Sequence, residues 1–178
     1  MIEDGTVAIL FWLIALGSAG LDRQDGWFER DPAPGSVVVS GGQTSIRRSG
    51  RGEARQTLSE ELRLQLYQDR TYGPLQPVAE VSVTADGGTY LGAGFAMRRD
   101  FDLGGLPLFA GGEVVTGLWL QGGDVDLGGP IEFRTGLELG VRFDEWRLSV
   151  MTDHRSNAGL YRENPGLESI SLRLHIPF

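Results

Sequence analysis

The sequence predicts an all-β fold, an eight-stranded antiparallel β-barrel of the membrane-spanning kind, on three observations. Beyond residue 35 hydrophobic alternation of period two recurs in almost every segment, and no stretch sustains a 3.6-residue period. Most alternating segments run 10 to 14 residues. That exceeds the usual soluble strand of about 5 to 6 residues and suits a tilted transmembrane strand of about 9 to 11. Glycine fills 27 of 178 positions, roughly twice its ordinary share, without a collagen period or the composition of a disordered chain.

The elements follow in order. The apolar run Val7 to Leu16, followed by Gly17, Ser18, Ala19 and Gly20, is too short to span a bilayer. Its layout is that of a signal-peptide core and cleavage region, although Glu3 and Asp4 stand where basic residues are usual. Residues 1–20 are therefore expected to be a signal peptide, 21–35 a lead-in and 36–178 the barrel. The first strand is expected over Ser36 to Thr44 and the second, with Arg63 on its polar face, over Ser59 to Asp69. The third, Leu75 to Ala85, carries Glu80; the fourth, Thr89 to Arg99, carries Arg98 beside Gly92 and Gly94. The fifth, Leu106 to Leu120, sets Glu113 among Gly111 and Gly117. In the sixth, Pro130 to Phe143, Ile131, Phe133, Leu137, Leu139, Val141 and Phe143 share one face, and Glu132, Arg134, Glu138 and Arg142 the other. The seventh runs from Trp146 to Ser156 with Arg147 on its polar face, and the eighth, Leu167 to Phe178, alternates Ile170, Leu172, Leu174 and Ile176 with Arg173 and His175.

Aliphatics opposite charges of both signs read as a barrel turned inside out, with lipid outside. Eight strands enclose a lumen just wide enough for side chains. Opposed charges there pair and plug it, and small glycines leave room for the arginines. A soluble lipocalin-type barrel would instead need an apolar interior. The turns Asp86-Gly87-Gly88, Gly128-Gly129 and Asp144-Glu145 separate the strands.

Charge and composition exclude other classes. A net charge of −8 argues against nucleic acid as a partner. With no cysteine, disulfide scaffolds and cysteine-ligated zinc are impossible. No metal or cofactor is expected. A terminal aromatic, Phe178, after an alternating strand resembles the C-terminal signature of bacterial outer-membrane barrels. An even strand number puts both termini in the periplasm and the seventh-to-eighth connection outside. The first-to-second loop, with Arg47, Arg48, Arg51 and Arg55, also faces outside.

One stretch suggests chemistry: Asp153 to Gly166, DHRSNAGLYRENPG. His154 and Ser156 are two apart on a strand and so share a face, in phase with the apolar Leu148 and Val150. A histidine in reach of a serine can take its proton, provided a third group holds the imidazole. Glu168, brought back by the hairpin and in phase with Ile170 and Leu172, is the first candidate; Glu163 in the loop is the alternative. All three groups then point at lipid near the extracellular end. A non-catalytic barrel with a structural or adhesive role has no reason to place them there.

The run His154 to Leu160 (HRSNAGL), the turn Asn164-Pro165-Gly166 and the terminal aromatic strand resemble the lipid A 3-O-deacylase family, the PagL-type outer-membrane enzymes. That family's pattern is a His-x-Ser-Asn motif, an Asn-containing loop and an acidic residue on the last strand. The resemblance implies an esterase that removes the 3-O-linked acyl chain of lipid A in lipopolysaccharide and releases a 3-hydroxy fatty acid. It implies His154 as general base, Ser156 as nucleophile and Glu168 as the orienting acid. The oxyanion would rest on Asn157 with the amide of Gly159, or on Asn164. Arg155, Arg162 and the 47–55 arginines are placed to meet lipid A phosphates. The expected partners are lipid A and outer-membrane lipid, and a homodimer is compatible with the reading.

Overall fold

In the computed structural model, residues 6–21, 29–47 and 58–178 are described. The loop arginines Arg48, Arg51 and Arg55 lie outside them, as do residues 22–28 of the lead-in. Eight strands form one closed barrel: β1 Ser36–Arg47, β2 Leu58–Tyr67, β3 Gln76–Thr84, β4 Thr89–Leu103, β5 Leu106–Leu120, β6 Ile131–Phe143, β7 Trp146–Ser156 and β8 Gly166–Pro177. Each strand is antiparallel to its chain neighbours, and β8 closes on β1 from Gly166↔Arg47 to Pro177↔Ser36. Closure leaves no unpaired edge in the bilayer, which cannot hydrate one.

Several strand ends differ from the sequence reading, among them β1, which continues past Thr44 to Arg47, and the ends of β4 and β2. β4 continues past Arg99 to Leu103 because Asp100, Phe101, Asp102 and Leu103 keep the alternation: Phe101 and Leu103 are exposed outside, while Asp100 meets Arg142 and Arg147. The hairpin to β5 then needs only Gly104 and Gly105, both at positive φ. The second segment stops at Tyr67, and Arg70–Tyr72 instead pairs with Arg30–Pro32 in a separate two-stranded ribbon. Helix α1, Thr6–Leu21, covers the N-terminal apolar run. Its Phe11 and Ala15 pack with Leu75, Phe95, Met97 and Val114. Among the described residues no helix is long and apolar enough to cross a membrane, which says nothing about strands.

The two faces of the wall are opposite in character. On β6, Leu137 and Leu139 are 48% and 59% exposed while Glu138 between them is 7% exposed. Leu62, Leu64 and Leu66 of β2, Val150 of β7 and Leu172 of β8 extend the apolar exterior. Such a band exceeds the apolar patches of a soluble monomer and matches a lipid-facing wall. At one end of the barrel Phe143 and Trp146 face each other across the β6–β7 hairpin.

Inside, charges pair across the lumen. Arg134 bridges Glu80 and Glu113. Arg173 reaches Glu113 at 3.3 Å and Glu138 at 3.0 Å, and donates to Tyr67 Oη at 2.7 Å. Arg63 joins Glu61 and Asp153, each at 2.9 Å. His175 contacts the Glu138 carboxylate at 3.3 Å, and Arg98 adds a cation over the Tyr67 ring. Buried charges are tolerated only in such company, and removing one partner strands the others.

Arg134→Ala is therefore expected to lower the unfolding free energy by about 3–5 kcal/mol, read as a fall in the urea midpoint in detergent micelles. Breaking the exposed Arg70–Asp69 pair should leave the midpoint nearly unchanged. Equal effects would contradict the lumen account.

Candidate active site

The site is built where β7 ends and β8 begins. On β7, Asp153 and Arg155 turn inward: Asp153 accepts from Arg63, and Arg155 binds Glu61 at 2.8 Å with its guanidinium over the Tyr90 and Trp119 rings. These anchors bracket His154 and leave it no choice of face. His154 and Ser156 consequently project outward, about 7 Å apart along the strand. The β7–β8 register sets His154 opposite Glu168, and Nδ1 lies 2.8 Å from Glu168 Oε1. Glu168 is half exposed on the outer wall, whereas Ser156 is nearly covered, at 5% exposure, beside Phe133 of β6. The carboxylate that pairs with His154 is that of Glu168, while Glu163 offers its backbone carbonyl to Asn157.

A glycine makes room for this pair. A Cβ on Gly166 would come within 2.5 Å of His154 Cε1.

The 157–165 loop is organised around Asn157, which is fully buried. Its Oδ1 accepts from Gly159 N–H at 3.0 Å, and its Nδ2 donates to the carbonyls of Leu127 and Glu163 at 2.8 and 2.7 Å. Its own N–H donates to Asn164 Oδ1 at 3.0 Å. The expected oxyanion pair of Asn157 and Gly159 is thereby corrected: both donors are already engaged in shaping the loop. Asn164 accepts through its Oδ1, and its NH2 is one of the side-chain donors of this loop. Leu127, gripped through its carbonyl, is buried with Tyr90, Trp119 and Leu167 in the cluster that caps the lumen.

Arg155 is a second correction. It is expected among the phosphate-binding residues, but strand alternation puts it on the opposite face from His154 and it is fully buried in the lumen. Arg162 is exposed on the loop. A hydrogen-bonded imidazole–carboxylate pair, a serine on the same face and a lipid-facing position together suit acyl transfer on a substrate that lies in the membrane.

Comparison with known proteins gives the same direction. The family model described as lipid A 3-O-deacylase (PagL) matches residues 42–177. The crystal structure of the outer membrane enzyme PagL is similar with a TM-score of 0.63 and 23% identity, over 80% of this chain and 99% of that one. Neisserial surface protein A (NspA) follows the same fold at TM-score 0.55 and 12% identity, over 84% of this chain and 99% of that one. De novo designed transmembrane β-barrels give a TM-score of 0.50 at 10% identity, over 82% and 98%. No curated protein matches.

Gly166→Ala should push the His154 ring from its seat while the barrel still forms. With only two histidines in the chain, ring 1H–15N NMR reads this directly: the His154 signals move and those of lumenal His175 stay. Unmoved His154 signals would contradict the packing described.

Proposed function

The chain belongs to the lipid A 3-O-deacylase (PagL) family, an outer-membrane hydrolase of ester bonds, and from that premise we propose how its residues perform the reaction. Ser156 is the nucleophile, His154 the general base and Glu168 the group that orients and stabilises the imidazolium. The observation that carries the reading is the 2.8 Å contact between His154 Nδ1 and Glu168 on the lipid-facing wall, with Ser156 two residues away on that face.

Ser156 Oγ attacks the carbonyl of the acyl ester at the 3-position of lipid A, and His154 Nε2 takes its proton. With Nδ1–H directed at Glu168, the imidazole presents the correct tautomer and the charge it gains is balanced. The oxyanion rests on the Asn164 amide and a backbone donor of the same loop. Collapse expels the sugar hydroxyl, which receives the proton from His154. Water then attacks the acyl enzyme with His154 again as base, releasing a 3-hydroxy fatty acid and regenerating Ser156. No step needs a metal.

The location supports the substrate. Lipid A occupies the outer leaflet, and the site faces lipid at the end of the barrel carrying the 121–130 and 157–165 loops. An ionisable pair costs much less near the interface than at the midplane, and here the two groups are hydrogen-bonded to each other. Arg162, with the arginines of the 47–55 loop, is proposed to meet the lipid A phosphates. Residues 1–20 are proposed to be the export signal and residues 36–178 the mature barrel.

Ser156→Ala should retain the heat-dependent gel shift of a folded barrel while lipid A keeps its 3-linked hydroxyacyl group by mass spectrometry. Continued loss of that group in the variant would overturn the assignment. Glu168→Gln keeps the shape but not the charge, and turnover is expected to fall by about 10²–10⁴-fold, with initial rates on purified lipid A as the measurement.

A further inference from the structure

One carboxylate of the lumen stands outside the network of paired charges. Glu132, the second residue of β6, is fully buried, yet neither of its carboxylate oxygens meets a hydrogen-bond donor of the protein. Among the described residues no other buried carboxylate has both oxygens in this condition. The complementary group is Arg155. Its Nη2 donates to Glu61, but Nε and Nη1 are buried without an acceptor, whereas every other described arginine has at most one such nitrogen. Among charged groups Arg155 also acts most strongly on Glu132.

Tyr90 brings the two into one layer. Gly92, Gly117 and Glu132 lie side by side on β4, β5 and β6, and the two glycines leave the space that the Tyr90 ring fills. A Cβ on Gly117 would come within 2.7 Å of Tyr90 Cζ, and one on Gly92 within 2.9 Å of Cε1. Laid across them, Tyr90 donates from Oη to the Glu132 backbone carbonyl at 3.1 Å, and the Arg155 guanidinium rests over its ring at 4.4 Å. Open donors and open acceptors of opposite charge thus share one covered layer. In folded proteins such groups are satisfied by ordered water, each molecule bridging about two to four of them.

The place of this layer gives it a role. Phe133↔Ser156 is the last rung of the β6–β7 ladder, and on the other side of β7 pairing with β8 already ends at Arg155↔Leu167. Ser156 is therefore held within the sheet by a single rung. Glu132 precedes Phe133 and Arg155 precedes Ser156, so a link between their inward side chains closes the two strands directly behind the serine. We infer that Glu132 and Arg155, joined through water, clamp this last rung, and that Glu132 is thereby a positioning residue for Ser156. The inference rests on the reading of Ser156 as the nucleophile.

Glu132→Met removes both acceptors while keeping the bulk, and Glu132→Gln keeps one. In full-length barrels whose fold is checked by the heat-dependent gel shift, kcat on purified lipid A should fall at least about tenfold in Glu132→Met. KM should stay unchanged, because the lipid-facing surface is untouched, and Glu132→Gln should recover most of the loss. Arg98→Met, which takes a lumenal charge from the opposite end of the barrel, where it meets Glu138, should leave kcat as it is. Wild-type kcat in Glu132→Met, a Glu132→Gln no better than Glu132→Met, or equal slowing by Arg98→Met would each overturn the clamp while leaving the deacylase reading intact. Two readouts need no catalysis. Hydrogen exchange at the Phe133–Ser156 rung should quicken in Glu132→Met and not in Glu132→Gln; unchanged exchange in both contradicts the inference. A crystal structure of the wild-type barrel should hold ordered water within hydrogen-bond distance of both Glu132 and Arg155, and a dry gap there would overturn the clamp even if Glu132→Met fails to fold. If the wild-type chain deacylates nothing, the proposed function falls, and exchange and ordered water alone decide whether the rung is clamped.

Discussion

The paired charges of the lumen are the constraint on which the remaining structure depends. A strand has only two faces, and a slip of one residue exchanges them. On β7 such a slip would push Asp153 and Arg155 into lipid and pull His154 and Ser156 into the lumen. It is opposed by Arg63, which holds Asp153, and by Glu61, which holds Arg155. The same network reaches β8 through Arg173, tied to Glu113 and Glu138, and so fixes the phase that sets Glu168 opposite His154. The lumen is thus the reason an ionisable pair can be kept on a wall of leucines.

The capped end of the barrel links this framework to the loops. Arg155 lies over the Tyr90 and Trp119 rings, and these belong with Leu127 and Leu167 to one buried cluster. Asn157 ties the carbonyl of Leu127 to the loop that follows Ser156. The 121–130 and 157–165 loops are therefore packed as one unit over the lumen, with Asn164 held by the Asn157 amide on its rim. Substrate approach is left to the lateral, lipid-facing side, the side from which a membrane lipid arrives.

Much of this was legible in the residues because alternation of period two is a direct consequence of strand geometry. The eight strands, the charged interior and the outward phase of His154, Ser156 and Glu168 all follow from it. Turn-like composition at Asp100 to Leu103 masks the alternation, so the sequence suggests a shorter β4 than the strand that forms. The site's hydrogen bonds were less legible. Asn157 and Gly159 look like oxyanion donors in a motif, yet both are engaged within the loop, and no local pattern announces a bond to Leu127 from 30 residues away. Arg155 belongs to the motif and suggests a phosphate contact, but its own strand phase points inward and it is fully buried. Gly166 acts through the space it leaves for the His154 ring, which is visible only once neighbouring strands are in register.

The central claim is that Ser156, on the outer wall and served by His154, is the reacting group. Its most direct test is covalent labelling of the folded barrel in micelles with a lipid-like fluorophosphonate, followed by peptide mapping. The account predicts a single adduct on Ser156, lost when His154 is replaced by alanine. An adduct on a lumenal serine such as Ser149 or Ser171, or labelling of Ser156 that survives the loss of His154, would contradict it.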